Sequence, residues 1–175
     1  MTKIIFLDRD GTINKDDGYT NKVGDYKLLP NTIRGLQNLQ NQGYSLIIIT
    51  NQSGINRGYY TETQMHNFNN HLLNELNQEN IKIEDVLFCP HTPQEDCNCR
   101  KPKTKLIEPY FTPNLDKNNS YVIGDRSSDI ELAKNAGLKS VLVTTGISDS
   151  APKSNSKPTF IAEDLLDAAI KIQNA

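Results

Sequence analysis

No stretch of about 18 apolar residues occurs anywhere in the chain, which excludes a bilayer-spanning helix. The N-terminal MTKIIFLDRD reaches an acid after only four apolar residues, too few for the apolar core of a secretory signal. A cytoplasmic protein is therefore expected. A large net charge is also missing: 19 Lys and Arg stand against 21 Asp and Glu, a formal charge of -2. Nucleic acid and anionic membrane are not expected partners, although a small anion can still bind locally. Cysteine is scarce, and all three, Cys89, Cys97 and Cys99, fall in one short segment. That excludes a spread disulfide framework and favours a metal. There is no internal repeat, no long linker, and no heptad or exposed apolar helix stripe. One domain over residues 1–175, monomeric and with a sizeable core, is expected.

What is present is an alternation. Ile4 to Leu7 and Leu46 to Ile49 are continuous apolar runs rich in isoleucine, as strands buried on both faces require. Between them, Thr32 to Asn41 places Ile33, Leu36 and Leu39 at helical spacing. A longer helix is predicted from Glu62 to Glu79. Asp85 to Phe88, Tyr121 to Ile123 and Val141 to Val143 complete the predicted strands, and Ile130 to Asn135 is a helix stopped by Gly137. Lys103 to Phe111 is also read as helical, residues 146 to 158 as a surface loop, and Glu163 to Ile170 as a last helix. Strands alternating with helices predict an α/β fold: a central, mainly parallel sheet between helical layers. Ligands of such sheets sit at the carboxyl ends of the strands.

The polar residues follow that rule. Asp8 and Asp10 come after the first strand, Thr50 and Asn51 end the second, and Gly124-Asp125 follows the fourth. Two carboxylates so close repel unless a proton or cation lies between them. With Asp125 and Asp129 available nearby, a hard divalent ion such as Mg²⁺ would relieve the repulsion, since it takes few carboxylates and binds phosphate oxygens. Asp129, four residues after Asp125 near a helix start, either supports that metal shell or caps the helix.

The segment CPHTPQEDCNCRKP, residues 89–102, holds every cysteine of the chain. Cys89-x-His91 and Cys97-x-Cys99 supply three thiolates and one imidazole, a set suited to a closed structural Zn²⁺ site. Zinc would order this polar loop and aim the adjoining Arg100 and Lys101. His66 and His71, five apart in the long helix, do not form a second metal pair.

Asp8-Arg9-Asp10-Gly11-Thr12, Thr50-Asn51, Lys101 and Gly124-Asp125-Arg126 with Asp129 together resemble the haloacid dehalogenase-like (HAD) superfamily of aspartate-nucleophile phosphatases. The resemblance implies a HAD-like Rossmannoid three-layer sandwich. It makes Asp8 the nucleophile, Asp10 the acid and base, Thr50 and Lys101 the phosphoryl-binding groups, and Asp8, Asp125 and the backbone carbonyl of Asp10 the Mg²⁺ ligands. The zinc loop with its CRKP run is similar to the subfamily of heptose 1,7-bisphosphate 7-phosphatases and histidinol phosphatases, which lack a large cap domain. Residues 52 to 88 leave room mainly for one long helix.

Within that subfamily the two halves differ. Gly18-Tyr19 and TNQSGINRGYYTE resemble the heptose side, with Gln52 and Ser53 placed at the substrate and Arg57 as a further cation. CRKPKTKLIEPY and NSYVIGDRSSD, with Arg126, resemble the histidinol side. The heptose bisphosphate is the expected substrate, and histidinol phosphate is the alternative. A phosphotransferase or a non-catalytic phosphate-binding module are the readings outside this class; an inactive binder would be expected to lose Asp8, Asp10 or Lys101.

Overall fold

The computed structural model describes residues 1–146 and 156–175. Six strands, β1 (Lys3–Leu7), β2 (Tyr44–Asn51), β3 (Ile83–Cys89), β4 (Tyr121–Gly124), β5 (Lys139–Val143) and β6 (Phe160–Ala162), form one sheet in the order β3-β2-β1-β4-β5-β6. Every neighbouring pair is parallel. Successive side chains alternate between two cores, as the strand period requires. Ile5, Leu7, Leu46, Ile48 and Ile123 enter one, while Ile4, Phe6, Ile47, Ile49 and Val122 enter the other. The sheet is thus covered on both faces, which is why its central strands carry unbroken apolar runs.

Helices α1 (Thr32–Asn41), α2 (Glu62–Gln78) and α4 (Leu165–Gln173) contribute to the first core through Leu36, Leu39, Leu72, Leu76, Ala168 and Ile172. Helix α3 (Ser127–Ala136) covers the other face with Leu132, Ala133 and Ala136. Local chemistry sets the helix ends. Thr61 Oγ1 accepts from Gln64 N, while Gln64 Oε1 accepts from Thr61 N at 2.8 Å, a reciprocal cap on α2. Gly137, at φ 70°, ends α3 in the left-handed region. Close packing of α1 on α4 depends on Gly35, where a Cβ would lie 2.5 Å from the Leu165 carbonyl carbon.

Two elements differ from expectation. Lys103 to Phe111 is not an α-helix: it runs as turns into a short 3₁₀ segment, Glu108–Tyr110. Pro109 has no N–H to donate to the carbonyl of residue 105, and its ring clashes with that carbonyl. Ile107 nevertheless buries itself in the α3-side core, so the segment covers the sheet without helical form. The edge strand β6, only three residues long, has too few positions to show a period. Most of the expected 146–158 loop, residues 147–155, lies outside the described residues.

The chain steps from β1 outward through β2 to β3, then returns to β4 on the other side of β1. The strand order therefore reverses at the carboxyl ends of β1 and β4, the place where such sheets open a crevice for ligand. Asp8 N donates to Ile123 O at 2.9 Å there and closes the floor. Between β2 and β3 the chain carries a single named element, α2.

Candidate active site

Asp8 follows β1, Asp125 follows β4, and Asp129 sits in the first turn of α3. One carboxylate oxygen from each lies within 4.8 Å of the others, and all three side chains are buried. Lys101 reaches into this group, its Nζ 2.8 Å from Asp8 Oδ1 and 2.7 Å from Asp129 Oδ1, and donates to Ile49 O at 3.0 Å. Among the described residues, three buried acids thus face one buried ammonium, with the more exposed Arg126 Nε 3.9 Å from Asp125 Oδ2. The imbalance is visible in their protonation. Burial, with Asp8 and Asp129 nearby, pushes Asp125 up to about 8. Burial also raises Asp8, to about 6, against the pull of Lys101. Lys101 itself is pulled down by burial, but Asp129 and Asp8 outweigh that and hold it above its ordinary range.

Asp125 identifies what the cluster lacks. Both of its oxygens are buried without a hydrogen-bond partner among the described residues, a costly state for a carboxylate. Two glycines wall it in, and a third walls in Asp129. A Cβ at Gly11 or Gly146 would strike the Asp125 carboxylate, and one at Gly124 would strike Asp129. Oxygen ligands, excess negative charge and an unsatisfied carboxylate fit a hard divalent cation held by Asp8 and Asp125. Asp129 caps α3, its Oδ2 accepting from Arg126 N at 3.1 Å, while its Oδ1 faces Lys101.

Asp10 is held apart from this cluster. Its Oδ1 accepts from Arg9 Nε at 3.1 Å and Asn14 Nδ2 at 2.9 Å, its Oδ2 from Arg9 Nη2 at 2.8 Å and Gln52 Nε2 at 2.9 Å. Arg9, 0% exposed, is braced in turn by Asn69 Oδ1 at 2.8 Å, by Thr20 O at 3.0 Å and by the Phe68 ring. On Asp8, both hydrogen bonds fall on Oδ1, from Lys101 Nζ and from Arg9 N at 2.8 Å, so among the described residues Oδ2 is uncommitted. One carboxylate is positioned with an open oxygen, the other is oriented by a forked guanidinium.

The cysteine loop lies beside this pocket. Cys89 Sγ lies 3.5 Å from His91 Nδ1, 3.6 Å from Cys97 Sγ and 3.2 Å from Cys99 Sγ, and His91 Nδ1 is 3.2 Å from Cys99 Sγ. Bonds of about 2.0–2.3 Å to a tetrahedral zinc place ligand atoms roughly 3.4–3.8 Å apart, close to this spacing. The four residues therefore fit a closed Zn²⁺ site. Arg100 Nη1 donates to His91 O at 3.1 Å within the loop, and Asn56 Nδ2 donates to Glu95 Oε1 at 2.8 Å, tying the loop to the segment after β2. Asn51 completes the link: its Oδ1 accepts from Lys101 N at 3.0 Å and its Nδ2 donates to Lys101 O at 3.3 Å.

A cleft of about 360 Å³ opens over these residues and brings together Asp8, Asp10, Gly18, Tyr19, Thr50, Asn51, Gln52, Ser53, Arg57, Arg100, Lys101 and Arg126. Every residue predicted to act as catalyst or substrate contact lines it. His66 and His71 lie elsewhere, against Phe88 and Tyr26 respectively. Some contributors are not evident from sequence. Asp16 is buried in the cleft wall and accepts from Arg126 Nη2 at 2.8 Å. Tyr60 is buried behind Gln52, and Arg9 and Asn14 support Asp10. The arginine between two aspartates was the one available signal, because a guanidinium there can fork onto a neighbouring carboxylate.

The HAD-hydrolase-like family model matches residues 98–168. A D-glycero-alpha-D-manno-heptose-1,7-bisphosphate 7-phosphatase of Photorhabdus laumondii is 40% identical over 162 residues, covering 87% of this chain and 88% of its own length. The histidine biosynthesis bifunctional protein HisB of Buchnera aphidicola is 39% identical over 143 residues, 79% of this chain but 40% of that protein. Among solved structures, the D,D-heptose 1,7-bisphosphate phosphatase of B. bronchiseptica, complexed with magnesium and phosphate, superposes with a TM-score of 0.88 at 27% identity, over 99% of this chain and 100% of that one.

Proposed function

The chain belongs to the HAD-like phosphatases, in the heptose-bisphosphate and histidinol phosphatase subfamily, and we propose that it hydrolyses a phosphomonoester through a phosphoaspartate on Asp8, with the 7-phosphate of D-glycero-D-manno-heptose 1,7-bisphosphate as the bond broken. The buried, unsatisfied Asp125 carboxylate beside Asp8 and Lys101 carries the reading. Mg²⁺ bound by Asp8, Asp125 and the Asp10 carbonyl would neutralise charge on the phosphoryl oxygens. Asp8 attacks phosphorus as the bond to the leaving oxygen breaks, and Asp10 gives that oxygen its proton. Water then attacks the phosphoaspartate, returns a proton to Asp10 and frees Asp8 and inorganic phosphate. Lys101 and Thr50 hold the phosphoryl group through both halves. Zn²⁺ on Cys89, His91, Cys97 and Cys99 is structural: it holds the loop that delivers Arg100 and Lys101.

The substrate assignment rests on Arg57, an exposed guanidinium lining the cleft, which suits a substrate with a second phosphate. Histidinol phosphate is the second reading, favoured by the 39% identity to HisB. The test is phosphate release from zinc-loaded protein with Mg²⁺, comparing both anomers of the heptose bisphosphate with histidinol phosphate. A tenfold preference, about 1.4 kcal/mol, for either substrate decides between them. Release from neither, and none from an activated aryl phosphate, would overturn the aspartate chemistry itself.

A further inference from the structure

Gln52 is 2% exposed, and its whole amide is spent inside the protein. The two Nε2 hydrogens go to Asp10 Oδ2 at 2.9 Å and to Thr50 Oγ1 at 2.8 Å, while Oε1 accepts from the Tyr60 hydroxyl at 2.6 Å. One side chain therefore ties the residue that moves the proton to the residue that holds the phosphoryl group, and a tyrosine orients it from behind. Rotating the amide by half a turn would set Oε1 against the Asp10 carboxylate, acceptor facing acceptor. The Tyr60 hydroxyl opposes that rotation by donating to Oε1. Burial pushes the Tyr60 phenol up to about 12, so it remains a donor at working pH. Its ring packs directly against Gly54, where a Cβ would strike Tyr60 Cε1.

We infer that Tyr60 is a positioning residue, whose hydroxyl, through the Gln52 amide, sets the Asp10 carboxyl in line with the leaving-group oxygen and in register with Thr50. The inference rests on the reading of Asp10 as acid and base given above. Arg9 and Asn14 hold Asp10 Oδ1, and Arg9 Nη2 shares Oδ2 with Gln52; among the described residues Gln52 is the only one of its donors that also touches the phosphoryl-binding side. Losing the Tyr60 hydroxyl frees the amide to turn, and the proton donor loses its alignment while Asp8, Lys101 and the metal ligands keep theirs.

The consequence depends on the leaving group. An alkoxide must be protonated as it leaves, whereas p-nitrophenolate departs without that help. Y60F and Q52M are compared with wild type under single turnover, on the better alkyl substrate of the two named above and on p-nitrophenyl phosphate, with thermal midpoints recorded. The expected result for Y60F is a fall in the alkyl phosphorylation rate about tenfold greater than the fall on the aryl substrate, carried by kcat rather than KM. Q52M should show the same contrast enlarged, and it supplies the test if Y60F fails to fold. Equal losses on both substrates, or no loss on either, overturn the assignment of Tyr60. A wild type that hydrolyses neither substrate overturns the proposed function, and the positioning role with it.

Discussion

Replacing Lys101 by methionine keeps most of the aliphatic volume and deletes the ammonium. That ammonium lies 2.8 Å from Asp8 and 2.7 Å from Asp129 and is buried with them. Removing one partner of a buried ion pair costs about 3–5 kcal/mol, because the remaining charge has no counterion. Here three carboxylates are left together, so the upper part of that range applies at pH 8. At about 2–4 °C per kcal/mol for a chain of this size, the thermal midpoint of K101M should fall by roughly 8–20 °C. The measurement is unfolding followed by circular dichroism in Mg²⁺-free buffer, without a chelator that would also attack the thiolate site. The pH dependence tests the cause. Asp125 and Asp8 are pushed up to about 8 and about 6, and loss of Lys101 moves Asp8 further up. Acidification through this window protonates Asp125 and Asp8, so the deficit should shrink by more than half by about pH 5.5. Adding D129N should recover part of it at pH 8. A variant as stable as wild type at pH 8, or a deficit independent of pH, would refute the view that Lys101 neutralises this cluster.

In the wild type without Mg²⁺, the folded state holds protons on Asp8 and Asp125 more tightly than the unfolded chain does. Stability should therefore fall as pH rises from about 4 through about 8 and flatten when Mg²⁺ is added; calorimetry showing a rise over that range would contradict it. Metal analysis should find one zinc per chain, and C97S should lose zinc and about tenfold or more of kcat, although no catalytic group has been removed. Full activity in zinc-free protein would argue against the coupling through Arg100 and His91. G35A pushes a methyl group into the Leu165 backbone, an overpacking cost of about 1–3 kcal/mol that a helix-propensity gain of about 1 kcal/mol offsets only in part. Denaturant titration should show a lower midpoint, and an unchanged one would mean α1 and α4 separate freely.

What was legible in the sequence was what repeats locally or is chemically rare. The strands β1, β2, β4 and β5 announced themselves because both their faces are buried, leaving runs such as Leu46 to Ile49 without polar interruption. Asp8, Asp10 and Asp125 stood out as acids at strand ends, and Cys89, His91, Cys97 and Cys99 as soft ligands at short spacing. Each of these signals lies within a dozen residues of chain, where geometry follows from backbone period alone.

The tertiary structure decided whatever depends on partners far along the chain. Asn51, expected at the substrate, clamps the backbone of Lys101 across 50 positions. Gln52 spends its amide on Asp10, 42 positions away, and on Thr50, while Arg126 pairs with Asp16 across 110. Nothing in local spacing announces which polar group a side chain will meet once the strand order reverses at β1 and β4. The burial of Arg9 belongs to the same class, since an arginine between two aspartates reads as solvated until Asn69 and Phe68 close over it. The residue types and strand ends of the site follow from the sequence, because burial and metal chemistry constrain composition locally. Which donor holds which acceptor followed only from folding, because buried hydrogen bonds are satisfied by whichever partner the topology delivers.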